Sequence, residues 1–275
     1  MRLPQNIQND VKRVLQEDIG NGDISAQLID QDAVLEMNLL VREDAVLCGS
    51  AWFDEVFRQC DRAIKIKWSA GDGDRVKANT NLCTLSGLAR ALLSAERSAL
   101  NFLQTLSGTA TITRQYVDRI SDTNCRILDT RKTIPQLRLA QKYAVVCGGG
   151  TNHRIGLFDA YLIKENHLAA CGSIKAAVEL GRTLHPERFL EVEVEDLDQL
   201  QQVIDAQADR ALLDNFTVEK LKQAVTLNDR RIELEASGNI TDENLLAFAR
   251  TGIDFISIGA LTKHLQAIDF SLRYS

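Results

Sequence analysis

Residues 189–215 read "FLEVEVEDLDQLQQVIDAQADRALLDN". The first six, "FLEVEV", are a short apolar run in which Glu191 and Glu193 stand two apart, so both project from one face of a strand. "LDQLQQVIDAQ" then repeats apolar positions at helical spacing, and "RALLDN" returns to a short apolar run. Strand, helix, strand in so few residues makes a βαβ unit and therefore a parallel sheet.

The same rhythm extends to both sides. "CRILDT" (125–130), "AYLIKE" (160–165), "IELEAS" (232–237) and "FISIGA" (255–260) are further short apolar segments, with helical spacing such as "VEKLKQAVTL" between most of them. A complete eightfold α/β barrel takes about 250 residues, and only about 150 follow position 115. The expectation is an incomplete parallel α/β barrel of six or seven strands over residues 116–265. Residues 1–115 have a different character. "QNIQNDVKRVLQEDIG" and "ARALLSAERSALNFLQTLSG" read as helices, the second stopped by Gly108. "AVLEMNLLVR" and "IKIKWSAG" read as strands, and "GDGDRVKANTNLCTLSG" is rich in turns. This is an α+β unit, with the closing segment 266–275 assigned to it.

The chain has 275 residues and a net charge of −6, which argues against broad binding to nucleic acid or acidic membrane. Any anion site must be a local cluster of cations. The start "MRLPQNIQND" lacks the apolar core of a secretory signal, and no apolar run approaches the length of a membrane span. The six cysteines show no C-x-x-C spacing, so reduced core thiols in a cytoplasmic protein are expected rather than zinc ligands.

Ligands of parallel α/β folds bind at the carboxyl ends of the strands. Polar residues gather there on every segment: Asp129, Arg131 and Lys132; Lys164, Glu165, Asn166 and His167; Glu191 and Glu193; Asp214 and Asn215; Glu235, Ser237 and Gly238; Ser257 and Gly259. An inward carboxylate in a barrel must be paired, and Lys132 and Lys164 are the expected partners of Glu191 and Glu193. The loop "CGGGTNHRIG" (147–156) adds His153 and Arg154, and it matches neither a P-loop nor a dinucleotide fingerprint. "EASGNI" and "SIGAL" place small residues where helix N-termini could hold a phosphate. The rim thus suits a multiply charged anion, a phosphorylated partner and a divalent cation held by Glu193 and Asp214.

On these residues the chain resembles the quinolinate phosphoribosyltransferases, the decarboxylating type II phosphoribosyltransferases of NAD biosynthesis. The likeness runs through "EDIGNGDIS" (17–25), "ERSALNFLQTLSG" (96–108), "DTRKT" (129–133), "KYAVVCGGGTNHR" (142–154), "LIKENH" (162–167), "EVEVE" (191–195), "LLDN" (212–215), "EASGNI" (235–240) and "GIDFISIGALTK" (252–263). The resemblance implies an N-terminal α/β sandwich domain joined to the incomplete barrel. It implies transfer of phosphoribose from phosphoribosyl pyrophosphate to quinolinate with Mg²⁺ and loss of CO₂. It implies a homodimer in which Arg97 of one copy completes the partner's site. Carried over motif by motif, the quinolinate-binding set is Arg131, His153, Arg154 and Lys164, with Lys132 in the same pocket. Lys132, Glu193 and Asp214 are the implied catalytic residues. Ser237, Gly238, Gly259, Ala260 and His264 are the implied phosphate contacts. A paralogue of the same fold acting on another aromatic acid is the alternative, and it should lack part of this cation set. A Schiff-base aldolase using Lys164 is a different class, open to borohydride trapping. The chain departs from many family members after "DTRK", where it has Thr133-Ile134-Pro135-Gln136 in place of T-T-P-G.

Overall fold

The computed structural model describes residues 2–274. In chain order the strands are β1 (Val34–Val41), β2 (Ala45–Val46), β3 (Lys65–Trp68), β4 (Arg75–Val76), β5 (Asn81–Leu88), β6 (Arg126–Leu128), β7 (Tyr161–Ile163), β8 (Leu190–Val194), β9 (Arg210–Asp214), β10 (Glu233–Ser237), β11 (Phe255–Ser257) and β12 (Phe270–Tyr274). The helices are α1 (Ile7–Asp18), α2 (Ser50–Cys60), α3 (Ala89–Arg119), α4 (Arg138–Cys147), α5 (Glu165–Cys171), α6 (Ile174–Leu184), α7 (Leu197–Asp205), α8 (Val218–Asn228), α9 (Leu245–Ala249) and α10 (Ala260–Lys263). They form two compact units. One comprises Met1–Arg114, Thr133–Gly149 and Ala260–Ser275; the other comprises Gln115–Lys132 and Gly150–Gly259.

The first unit is built on an antiparallel sheet in the order β12-β1-β5-β3. Met37, Leu39 and Val41 alternate along β1 and are buried, so one face of the sheet meets a core that includes Trp52, Phe53 and Phe57 of α2. That burial, at about 1.5–3 kcal/mol for each large apolar side chain, is what holds the sheet to its helices. Asp72 accepts the backbone N–H groups of Gly49 and Ser50, both at 3.1 Å, which satisfies the N-terminal donors of α2. The closing segment supplies β12, which pairs with β1.

Two features of this unit differ from the sequence reading. Residues 133–149, assigned to the barrel, pack in the first unit. The reason lies in α4, whose Ala140, Tyr143, Ala144 and Cys147 are buried in the same core as Trp52 and Leu103. Apolar spacing predicts a buried helix face but not which core receives it. Helix α3 also continues past Gly108 to Arg119. Gly108 is not a stop; a Cβ there would land on the carbonyl oxygen of Gln266. The glycine permits close approach of backbone to helix. Gly108→Ala is therefore expected to destabilise the protein by about 1–3 kcal/mol through overpacking, more than the roughly 1 kcal/mol gained in helix propensity. A fall in the urea midpoint checks this, and a rise would contradict it.

The second unit is a six-stranded, all-parallel sheet in the order β6-β11-β10-β9-β8-β7, with α5 to α9 between its later strands. Each of the six apolar segments read from the sequence supplies one strand. The sheet ends at β6 and β7, so the barrel is incomplete. Among the described residues, no helix is long and apolar enough to cross a membrane. The six cysteines are free thiols, four of them buried.

Candidate active site

The carboxyl ends of β6 to β11 carry the candidate site of the second unit. Parallel register fixes its layers. Asp214 pairs with Ser237 at the rim, Glu193 with Leu212 and Leu212 with Glu235 below, and Glu191 with Arg210 and Arg210 with Glu233 at the next row. Period-two alternation puts these carboxylates and Arg210 on one face of the sheet.

Lys164 ends β7 and donates to Glu193 Oε2 at 2.6 Å, the pairing expected from sequence. Its backbone N–H donates to His167 Nδ1 at 3.0 Å, so His167 helps set the start of α5. Glu191 does not share that arrangement. It sits deeper, almost wholly buried, and its Oε2 lies 2.9 Å from His153 Nε2. The expected partner Lys132 is a rim residue, whereas the residue that reaches Glu191 is this histidine.

Asp129, fully buried at the end of β6, accepts the His153 backbone N–H at 2.8 Å. Thr151 also joins β6, donating to Ile127 O at 2.8 Å and accepting from Asp129 N at 3.1 Å. The segment after the three glycines is thus fixed beside β6, and Arg154 follows it directly. Burial, reinforced by the Arg131 charge, lowers the Arg154 guanidinium pKa from its ordinary value. Like charges disfavour one another, so an anion bound by these guanidiniums would be stabilised. The glycines themselves serve packing. A Cβ on Gly148 would strike the Ala110 carbonyl and Thr113 of α3, and Gly149 takes φ +89.

Lys132 is exposed, and its backbone N–H donates to Thr130 Oγ1 at 3.1 Å. Its side chain lies across Gly259, where an added Cβ would stand 2.9 Å from Lys132 Cδ and 3.7 Å from its Nζ. Gly259 is small because the lysine passes over it. At the end of β10, Gly238 takes φ +88, and a Cβ there would collide with the Asn215 side chain. Asn215, itself at φ 56, accepts from Asn239 Nδ2 at 3.0 Å and donates to Asp214 Oδ2 at 2.8 Å. The loop after β10 is therefore tied to the end of β9. The helix expected directly after "EASGNI" starts only at Leu245, because Gly238 and Asn239 are both left-handed and break the chain away from helix. After β11 the helix α10 does begin at once, at Ala260.

Of the sequence-predicted residues, Arg131, Lys132, His153, Arg154, Lys164, Glu193, Asp214, Ser237, Gly238 and Gly259 belong to this unit. Arg97, Ala260 and His264 belong to the other. Arg97 is exposed on α3. His264 is exposed, and its N–H donates to Ala260 O at 3.0 Å.

Arg210 carried no weight in the sequence reading, since a charge at the start of a strand looks solvated. It is buried, stacked on Phe189 at 4.9 Å and Phe255 at 4.1 Å, and it donates to Glu235 at 3.2 Å and Glu233 at 2.7 Å. Its spacing of four from Asp214 was the available signal, because that places both on one face.

With this geometry in place, the chain's likeness to known proteins is informative. Residues 23–107 match the family described as quinolinate phosphoribosyl transferase, N-terminal domain, and residues 109–273 match its C-terminal domain. A curated relative from Bacillus subtilis, "probable nicotinate-nucleotide pyrophosphorylase [carboxylating]", is 41% identical over 257 residues, spanning 93% of this chain and 89% of the relative. The Mycobacterium leprae protein named nicotinate-nucleotide pyrophosphorylase [carboxylating] is 40% identical over 271 residues, 95% of each chain. The solved nicotinate-nucleotide pyrophosphorylase from Francisella tularensis superposes with a TM-score of 0.95 at 48% identity, covering 100% of this chain and 98% of that one. Two domain matches and relatives matched over most of both chains lead to one statement: the chain belongs to the quinolinate phosphoribosyl transferase family.

Proposed function

We propose that this chain is a nicotinate-nucleotide pyrophosphorylase (carboxylating) of NAD biosynthesis. It transfers phosphoribose from phosphoribosyl pyrophosphate to quinolinate and releases nicotinate mononucleotide, pyrophosphate and CO₂. The observation that carries this reading is the set of cations Arg131, Lys132, Arg154 and Lys164 in the unit that holds the strand-end rim, with Lys164 paired to Glu193 there. Quinolinate has two adjacent carboxylates, and guanidinium forks match carboxylates with two parallel hydrogen bonds. A paralogue acting on a different aromatic acid would have less use for the whole set, and the relatives named above carry the pyrophosphorylase name.

In the reaction, the bond from ribose C1′ to the pyrophosphate oxygen breaks and the pyridine nitrogen bonds to C1′. Positive charge grows on the ribose, and Glu193 and Asp214 lie on the face where that charge develops. Lys132 neutralises the departing pyrophosphate. Ser237, Gly238 and Gly259 hold the ribose 5′-phosphate. The C2–carboxylate bond then breaks. Its electron pair is stabilised by the cationic ring nitrogen and is taken up by a proton from solvent.

Mg²⁺ is the metal this site suits. Glu193 and Asp214 stand near the ends of neighbouring strands on one face, and among the described residues they belong to no cluster of three or more metal-type ligands. Two carboxylates that leave the remaining positions to water and substrate phosphate fit magnesium. When bound, the ion supplies charge neutralisation of the pyrophosphate. Arg97, exposed on α3, serves the active site of a second copy in a homodimer, and the enzyme works in the cytoplasm.

Initial rates with phosphoribosyl pyrophosphate and Mg²⁺ test the acceptor. Mononucleotide should form from quinolinate, and nicotinate should react slower by about two orders of magnitude or more, since loss of one charge-paired carboxylate costs roughly 2–5 kcal/mol. Comparable rates with both acids would remove the dicarboxylate clamp from the account.

A further inference from the structure

The motif "EDIGNGDIS" (17–25) has no part in the proposed chemistry, yet within the first unit it has a definite task. Hydrogen bonds stitch the segment between α1 and β1 to the start of α3. Ala33 O accepts the Ala89 N–H at 2.8 Å, and Ile29 O accepts from Arg90 Nε at 2.8 Å. Asp23 Oδ2 accepts from Ser94 Oγ at 2.7 Å, and Asp18 Oδ2 accepts from Ser98 Oγ at 3.1 Å. Positions 90, 94 and 98 are four apart, so the segment follows one stripe of the helix. Arg97 stands three residues beyond Ser94 and one before Ser98, at the edge of that stripe.

Asp23 is itself fixed. Its Oδ1 accepts the backbone N–H groups of Ser25 at 2.9 Å and Ala26 at 3.0 Å, where a short 3-10 turn (Ala26–Leu28) begins. The Ala26 N–H, then the Ser94 hydroxyl, hold its carboxyl below the ordinary value, so it is a charged acceptor at neutral pH. Gly22 takes φ +139, and an added Cβ there would meet nothing, so glycine serves the conformation of the loop and not the space around it. Ser98 is fully buried, and Asp18 satisfies its hydroxyl. Arg97 is exposed, and among the described residues no hydrogen bond or ion pair holds it. A side chain held by nothing of its own is aimed by the helix beneath it.

We propose that segment 18–33 is a positioning element for Arg97. Asp23 and Asp18 fix Ser94 and Ser98, and with them the stretch of α3 from which Arg97 reaches the quinolinate of a second copy. This inference rests on the proposed homodimer and deepens it by naming what aims the lent arginine. The physical gain is preorganisation. Binding immobilises the arginine side chain in any case, but a helix already tethered adds no backbone ordering to that cost. Asp23 and Asp18 therefore act through Arg97 and touch no substrate.

Amide hydrogen exchange of the full-length protein reads the tether without reference to activity. Asp23→Ala should speed exchange in the first turns of α3 by about tenfold and leave the parallel sheet of the second unit unchanged. Unchanged exchange in α3 overturns the proposal. Steady-state kinetics test the consequence. Asp23→Ala should raise the quinolinate KM by about tenfold and leave the KM for phosphoribosyl pyrophosphate near its natural value. Asp23→Asn keeps an acceptor for the two N–H groups and a hydrogen-bonding group for Ser94. It should return the quinolinate KM to within about threefold of the natural enzyme. An unchanged quinolinate KM in Asp23→Ala overturns the proposal, as does an Asn variant that folds, by thermal melt, and is as impaired as the alanine variant. Mixing Asp23→Ala with Lys132→Ala chains separates aiming Arg97 from a merely structural role. In a hybrid dimer the intact loop lies on the chain that lends Arg97 to the intact Lys132, so that site should regain the natural quinolinate KM. A raised KM at every active site overturns the proposal. Inactivity of the natural enzyme toward quinolinate, or no recovery on mixing Arg97→Ala with Lys132→Ala, would instead remove the underlying reading and leave the exchange result standing.

Discussion

Lys132→Ala is expected to lower kcat/KM by about two to three orders of magnitude, roughly 3–4 kcal/mol of transition-state stabilisation. The loss should fall mainly on kcat. Negative charge builds on the pyrophosphate only as the C1′–oxygen bond breaks, so a cation aimed at it acts more strongly in the transition state than in the ground state. Position supports this role. Lys132 follows the buried end of β6, its backbone is held by Thr130 Oγ1, and its side chain passes over Gly259. Gly259→Ala is a useful companion, since the new Cβ would press on Lys132 Cδ and displace the amine while leaving the charge present. A Lys132→Ala enzyme with near-natural kcat would mean that other groups discharge the leaving group.

Arg97→Ala is expected to be nearly as damaging, for a reason that lies in assembly. The residue is exposed on α3 in the isolated chain, where an arginine usually does little. In the proposed homodimer it reaches the neighbour's quinolinate. Mixing inactive Arg97→Ala with inactive Lys132→Ala chains tests this directly. Random exchange puts half the chains' pairings into hybrid dimers, and each hybrid has one intact site of two. Activity should recover to about a quarter of the natural value in a closed twofold assembly. If subunits demonstrably exchange and the mixture remains inactive, Arg97 does not act across an interface.

Much of the second unit was legible because its signals are local. A strand that must be buried in a parallel sheet reads as a short apolar run, and six such runs gave six strands. Inward carboxylates declared themselves by period two, and Lys164 with Glu193 followed from burial alone. What escaped depended on distant partners. Gly108 reads as a helix stop unless one knows that Gln266 lies against it. The face of α4 is apolar whichever core it enters. Glu191 was given a lysine because lysines were the visible cations; the residue that reaches it, His153, sits about forty positions away in sequence and is brought there by Asp129. Gln136 is a related case. It takes φ 64, and Arg13 Nη1 donates to its side chain at 2.5 Å. A left-handed conformation carries an energetic disadvantage for a residue with a side chain, and nothing in the local sequence announces it.

The central claim is that nucleotide formation and decarboxylation are coupled on one dicarboxylate substrate. The most direct measurement uses quinolinate labelled in the 2-carboxyl group, with phosphoribosyl pyrophosphate and Mg²⁺, and follows label and mononucleotide together. The account predicts equal amounts of labelled CO₂ and unlabelled nicotinate mononucleotide from the first turnovers onward. Mononucleotide that keeps the label, CO₂ released without nucleotide, or no reaction of quinolinate would contradict it.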